Sequence, residues 1–272
     1  MSTPTRALGR NGPQISPIGL GLMSIGGVYG AAPSDEDRLA LLDRAHTIDQ
    51  WFWDTADAYF DNEDVIGRWR EGRQVVDTSP EYARSAHERG LKRLQTNTID
   101  LYYAHQVDGK TPIEKTIQAM VQFKEEGKIR YLGLSEVSAN TLRRAHAIHP
   151  IAAVQVEYSP FALDIEQLQI ALLETCRELG IAVVAYSPVG REIIPTQATL
   201  AWLTAREPSV IPIPGTRSIK YLEGNTAATT FKLIDEENQL IIEAVNAMKL
   251  VGDRYRPGMV PDNFVFGEKC EL

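Results

Sequence analysis

Short apolar, β-rich runs alternate with longer segments of helical period along most of the chain. The runs predict strands at Ile18–Leu22, Trp51–Asp54, Ile99–Ala104, Ile129–Leu134, Ala152–Val156, Ala182–Tyr186 and Val210–Ile213. Ser34 followed by Asp35, Glu36 and Asp37 predicts an N-cap with an acidic first turn, opening a helix that runs to about Ile48. Thr111, Pro112 and Glu114 read as a cap, a proline at the first helical position and a capping-box acid. That helix should stop at Gly127, and another should run from Leu163 to Leu179 and stop at Gly180.

Strand–helix units of about 30 residues imply parallel strands joined by right-handed crossovers. Near-continuous apolar strands such as IAVVAY suit a sheet covered on both faces. At 272 residues the chain matches the roughly 250 that one eight-unit α/β barrel needs. The expected fold is therefore α/β, a (β/α)8 TIM barrel, with periodicity alone leaving an open doubly wound sheet as the alternative. One domain over 1–272 is expected, since no linker or composition shift divides it, with an irregular tail over 251–272. One interval does not fit. Between Trp51 and Ile99 a barrel needs helix, strand and helix; helices suit Asn62–Arg70 and Ser79–Leu94, leaving only Gln74-Val75-Val76-Asp77 for a shortened or missing third strand.

Net charge of −8 argues against nucleic acid or an anionic membrane as partner, because both need a basic footprint. The two cysteines, Cys176 and Cys270, form no CxxC or Cys/His cluster, which points to a reducing compartment. With a polar N-terminus and no run approaching the roughly 18 apolar residues of a span, the chain reads as cytoplasmic. His146 and His149 could share a helical face as metal ligands, but Pro150 ends the segment and no third ligand is evident, so a solvated helix end is the better reading. No metal is expected.

Parallel α/β folds bind ligands at the carboxyl ends of their strands. There this sequence places Asp54 and Tyr59, then His105, Ser135 and Glu136, Gln155 and Tyr158, Tyr186-Ser187-Pro188 with Gly190 and Arg191, and Pro214-Gly215-Thr216-Arg217. Each alone suits an ordinary interior pair or turn; their recurrence at one end of successive strands suits a site. Six segments, FWDTADAY, TIDLYYAH, GKIRYLGLSEVS, AVQVEYSPF, AYSPVGR and VIPIPGTR, resemble in this order the aldo-keto reductase family, in its branch with GLSE and YSPxGR motifs. The resemblance runs from about Arg6 to about Gly252.

The resemblance implies an eight-stranded barrel and NADPH-dependent reduction of a small carbonyl substrate, an aldehyde or ketone. Tyr59 matches the family's proton donor, Asp54 its aspartate and His105 the histidine that orients the carbonyl. By the same likeness Ser135 and Gln155 hold the carboxamide, Tyr186 stacks on the nicotinamide, and Ser187, Pro188, Gly190 and Arg191 line the pyrophosphate. Gly215, Thr216 and Arg217 bind the 2′-phosphate, Asn225 meets the adenine, and Gly21 and Met23 line the mouth of the first strand.

The family's lysine, which should end the third strand and pair with the aspartate, has no match, because REGRQVVDT between Trp69 and Ser79 contains none. A second interruption follows Arg191, where the family carries a long cofactor-covering loop. Phe60, Gln106 and Gly224 are smaller departures. The tyrosine thereby loses a cation that would stabilise its anion, and a buried aspartate loses its partner. Three functions compete: an NADPH-dependent carbonyl reductase, a catalytically impaired relative that binds dinucleotide or a partner, and non-redox acid/base chemistry on the same scaffold.

Overall fold

The computed structural model describes residues 4–28, 30–70, 88, 91–94, 96–105, 107, 111–189 and 196–247. The predicted strand at 74–77, Gly190, Arg191 and the tail over 251–272 lie outside the described residues. Of the helix predicted over Ser79–Leu94, Glu88 and 91–93 are described as helical.

A hairpin, β1 (Arg6–Ala7) and β2 (Gln14–Ile15), precedes the parallel strands β3 (Leu20–Gly21), β4 (Trp53–Asp54), β5 (Ile99–Ala104), β6 (Ile129–Ser135), β7 (Ala153–Glu157), β8 (Ala182–Tyr186) and β9 (Val210–Pro212). β5 to β9 form one parallel sheet in chain order, and β3 pairs with β4. The ring continues from β9 to β3, because Gly19 N donates to Pro212 O (2.9 Å) and Gly21 N to Pro214 O (3.2 Å). This closure needs Gly21: a Cβ there would sit 2.6 Å from the carbonyl oxygen of Ile213. Between β4 and β5, no strand among the described residues completes the circle.

All seven predicted strands are present, shifted by at most two residues at either end. α1 (Asp35–Thr47) begins as the cap predicts, with the Ser34 hydroxyl accepting from Asp37 N at 3.1 Å. α2 covers Asn62–Arg70, α3 Ile113–Glu125 and α4 Ala139–Ile148. Two expectations need correction. Pro112, not Thr111, occupies the cap position of α3, and no side chain caps it. The helix expected over Leu163–Leu179 is broken into a 3-10 turn (Asp164–Glu166) and α5 (Leu172–Leu179), with Ala171 left-handed at φ 49°. Tertiary contacts override the period there. Ile165 is buried, and Glu166 is held by the Tyr158 hydroxyl and by Arg206. α6 (Thr196–Arg206), α7 (Ile219–Ala227) and α8 (Asp235–Ala247) complete the helices.

Alternation along the strands separates two apolar layers. Ala153, Ala182, Val184 and Ile211 face one cluster with Phe52 and Leu8, while Val154, Val156, Val183 and Ala185 face another with Phe123, Leu172 and Trp202. Cys176 is buried in that second layer, and burial pushes its thiol up to about 12, so it stays protonated and inert.

The hairpin has no signal in the sequence, because its strands are two residues long. It seals the amino-terminal end of the ring. Leu8 plugs the inner cluster, Arg10 N donates to Gly180 O (2.7 Å), and the Arg6 guanidinium donates to the carbonyls of Thr204, Glu207 and Val210. Arg6→Ala should lower unfolding free energy by about 2 kcal/mol, the scale for hydrogen bonds to a charged donor. Urea denaturation measures this, and a loss below about 0.5 kcal/mol, the scale of an ordinary surface change, would contradict the sealing role.

Candidate active site

Parallel register brings the carboxyl ends of the strands together. Ser135, the last residue of β6 and buried, lies opposite Gln155 of β7. Tyr186, the last residue of β8, lies opposite Glu157. Gly215 follows β9 and forms a parallel bridge with Gly21 at the end of β3. Asp54 ends β4, and His105 follows β5 directly. Tyr59 sits in the turn between β4 and α2, where its N–H bonds Ala56 O (3.1 Å) and its carbonyl accepts from Asn62 N (3.1 Å). Met23 occupies the turn after β3, half-buried. Gly21, Met23, Asp54, Tyr59, His105, Ser135, Gln155, Tyr186 and Gly215 therefore lie at or just after the carboxyl ends of their strands.

The closest contact between them runs across the interior. Gln155 Nε2 donates to Asp54 Oδ2 at 2.7 Å, joining β7 to β4. Tyr103 of β5 lies beside this pair. Its ring can cross β6 only because residue 133 is glycine, where a Cβ would sit 2.5 Å from a Tyr103 ring carbon. Sequence reasoning passed over Tyr103; its inward alternation in LYYA and the facing glycine were the available signals.

Burial pushes the Asp54 carboxyl up to about 6, and the Gln155 hydrogen bond opposes that rise. Among the described residues no cation pairs with it. Burial, with the charge of Asp54 added, holds the Tyr103 phenol well above its usual range, so it stays neutral. Burial lowers the His105 imidazole, against an opposing influence from Asp57, so a neutral ring is favoured at pH 7.

The other end of the site is built from backbone. Arg217 is exposed, and its Nε and Nη1 donate to the carbonyls of Ser24 (2.8 Å) and Ala31 (3.1 Å), fixing the β9–α7 turn against the loop after β3. Ser24 Oγ donates to Thr216 O at 3.1 Å. Thr216 is buried, its hydroxyl accepting from Ser218 N (3.1 Å), and Ser218 begins α7 without a side-chain capping bond. Asn225 is buried on α7. After β8, Ser187 is exposed and left-handed at φ 48°, while Pro188 is buried. His146, weighed as a metal ligand, instead accepts Ile151 N–H at Nδ1 (3.2 Å) and closes the end of α4.

The sequence profile of the aldo/keto reductase family matches residues 17–194 and 191–246. The chain belongs to the aldo/keto reductase family. It is similar to aldo-keto reductase str7 of Strobilurus tenacellus, 40% identical with 93% of this chain and 95% of that protein covered. It is also similar to aldo-keto reductase yakc [NADP(+)] of Schizosaccharomyces pombe, 36% identical with 95% and 96% covered. A thermostable aldo-keto reductase solved with the inhibitor epalrestat superposes with a TM-score of 0.79 at 31% identity, covering 88% of this chain and 99% of that one. The (β/α)8 barrel of the aldo/keto reductases is thus the fold of this chain.

The alignment with str7 spans 322 positions, 50 more than the 272 residues here, so that relative carries at least that many without a counterpart in this chain. The two profile matches meet at residues 191–194, where sequence analysis places the second interruption.

Asp54 ties this geometry to stability. The folded carboxyl keeps its proton until about pH 6, against 3.8 for the ordinary group. The native state therefore binds the extra proton between those values, and stability falls as pH rises through 6. Asp54→Asn retains an acceptor for Gln155 and removes the charge. Its stability advantage over the parent should grow by about 2–3 kcal/mol from pH 4 to pH 7.5. Paired urea denaturations at the two pH values test this, and an advantage that stays constant or shrinks would contradict it.

Proposed function

We propose that this aldo/keto reductase reduces a small aldehyde or ketone to the alcohol with NADPH, using Tyr59 as proton donor. The observation that carries the proposal is the assembly of Asp54, Tyr59, His105, Ser135, Gln155 and Arg217 at one end of the ring. The phosphate end suits a dinucleotide: the first turn of α7 presents N–H groups without a side-chain cap, with Arg217 and Lys220 exposed beside it. Two of the Arg217 nitrogens are held by carbonyls, which orients the guanidinium and leaves Nη2 for a 2′-phosphate. Asn225 would meet the adenine, and Ser135 and Gln155 the carboxamide, Gln155 keeping its carbonyl oxygen as acceptor.

The bound cofactor would supply a hydride to the carbonyl carbon. Tyr59 then protonates the carbonyl oxygen, and the neutral His105 ring orients that oxygen by donating a hydrogen bond. A phenol titrating near 10 is a poor acid–base group at neutral pH unless a cation stabilises its anion. The lysine that the resemblance expects is absent, and Asp54 instead accepts from the Gln155 amide. We therefore propose turnover slowed by about 10²–10³ relative to a site with that cation. The alternative, a barrel that binds dinucleotide and has lost reduction, is favoured by the lack of a lysine between Trp69 and Ser79.

NADPH-dependent reduction of an aldehyde panel by the purified chain separates the two. Reduction that falls at least about 10²-fold in Tyr59→Phe supports the reductase. NADPH binding without turnover supports the alternative. In either case Arg217→Ala should weaken NADPH by about tenfold or more and leave NADH nearly unchanged in calorimetric titration. Equal losses for the two cofactors would refute the role given to Arg217.

A further inference from the structure

The chain has a formal net charge of −8, yet one of its cavities is lined by basic side chains. This cavity, of about 360 Å³, lies at the amino ends of β6 and β7, away from Ser135 and Gln155. Its volume is that of a small-molecule pocket. The β1–β2 turn supplies Arg10, the last turn of α3 supplies Lys124, and the end of α4 supplies His146 and His149. β6 adds Tyr131, and α5 closes the side with Leu179 and Gly180. These residues and their neighbours in the chain all belong to the described part of the structure, and no aspartate or glutamate is among the described lining residues.

Each basic group is held in place with hydrogen-bonding capacity to spare. The Arg10 side chain lies across Gly180, where a Cβ would sit 2.7 Å from its Nε, and its Nη2 donates to Glu178 O (3.3 Å). Lys124 Nζ donates to Arg130 O and stands 5.6 Å from the centre of the Tyr131 ring, leaving further N–H donors. His146 accepts Ile151 N–H at Nδ1, so its neutral ring carries the proton on Nε2. His149 Nδ1 lies 2.9 Å from Pro150 O, which places its proton there and leaves Nε2 to take one up. Burial lowers the His146 imidazole, and the charges of His149 and Arg10 lower it further, so these three groups share one space. The nearby Glu178 carboxylate is already paired with Arg143. Cations at helix ends offset the carbonyls there, as Arg10 does at Glu178 O. Such a contact uses one donor of each side chain, whereas basic groups from the hairpin, α3 and α4 converging on a lining without acids build a site for negative charge.

We propose that this cavity binds a phosphate-type dianion, with Arg10, Lys124 and His146 Nε2 donating to its oxygens and Ile151 and Leu179 flanking any short carbon frame. A phosphate group brings close to two charges and three strong acceptor oxygens. That suits donors arriving from three elements, where a planar carboxylate suits a single fork. The site needs neither cofactor nor carbonyl substrate, and it lies at the other end of the strands from the Arg217 turn. Its test therefore stands apart from that of reductase activity.

The test titrates the full chain at pH 7.5 and low ionic strength with inorganic phosphate, n-propyl phosphate and n-propanol. The readouts are calorimetry and the imidazole C2–H resonances of the five histidines, assigned with His146→Gln and His149→Gln. Phosphate binding is expected to saturate in the millimolar range or tighter, to move the His146 and His149 resonances and to raise the titration midpoint of His146. Tighter binding of propyl phosphate would assign the site to a monoester and equal binding to the free ion, and either supports the proposal. Arg10→Gln and Lys124→Gln should each weaken the affinity read at His146 about tenfold, the scale of one charge-assisted hydrogen bond, and keep the circular dichroism of the parent. Arg217→Ala should leave that affinity unchanged. The histidine resonances of the parent cover a variant that fails to fold. No saturation, unmoved His146 and His149 resonances, equal binding of propanol, or undiminished affinity in folded Arg10→Gln and Lys124→Gln would overturn the proposal.

Discussion

The hydrogen bond from the Gln155 amide to the Asp54 carboxylate spans the inside of the barrel and joins strands that share no backbone bonds. Together with the backbone bonds that close β9 onto β3, it ties the β3–β4 pair to the five-stranded sheet, while among the described residues no strand joins β4 to β5. An amide can satisfy a carboxylate oxygen but cannot neutralise its charge. Burial therefore dominates, and the carboxyl rises to about 6. The stability cost of that charge and the neutral state of Tyr103 both follow from that burial.

The two ends of the site differ in what they require. At the phosphate end the groups that matter are backbone N–H donors and a guanidinium anchored on two carbonyls, which depend on the β3–β9 closure and the start of α7. None of that architecture involves the interval after α2. At the acid–base end Asp54 closes β4 and His105 follows β5, and the sequence between Trp69 and Ser79 contains no lysine. On the proposed function, cofactor binding and proton transfer would rest on separate parts of the ring, so that one could persist while the other is weakened.

Much of this was legible in the sequence. The strands declared themselves because a sheet buried on both faces requires unbroken apolar runs, as in IAVVAY, and α1 because Ser34 and its acidic first turn satisfy a helix start. The β1–β2 hairpin was not legible: strands of two residues carry no period, and Arg6 gains its role only from carbonyls some 200 positions away. The break before α5 was hidden for a related reason, since Glu166 is held by Tyr158 and Arg206 rather than by local preference. In the site, the rim residues could be named from their places after the strands. The Gln155–Asp54 contact could not, because the two residues lie 101 positions apart and meet only across the ring.

The most direct test of this account is the titration of the Asp54 carboxyl carbon by nuclear magnetic resonance in the full-length chain, assigned by comparison with Asp54→Asn. A midpoint near 6 is predicted. A midpoint at or below 3.8, the ordinary value for an aspartate, would mean that a cation already neutralises the carboxylate, and would contradict the account at its centre.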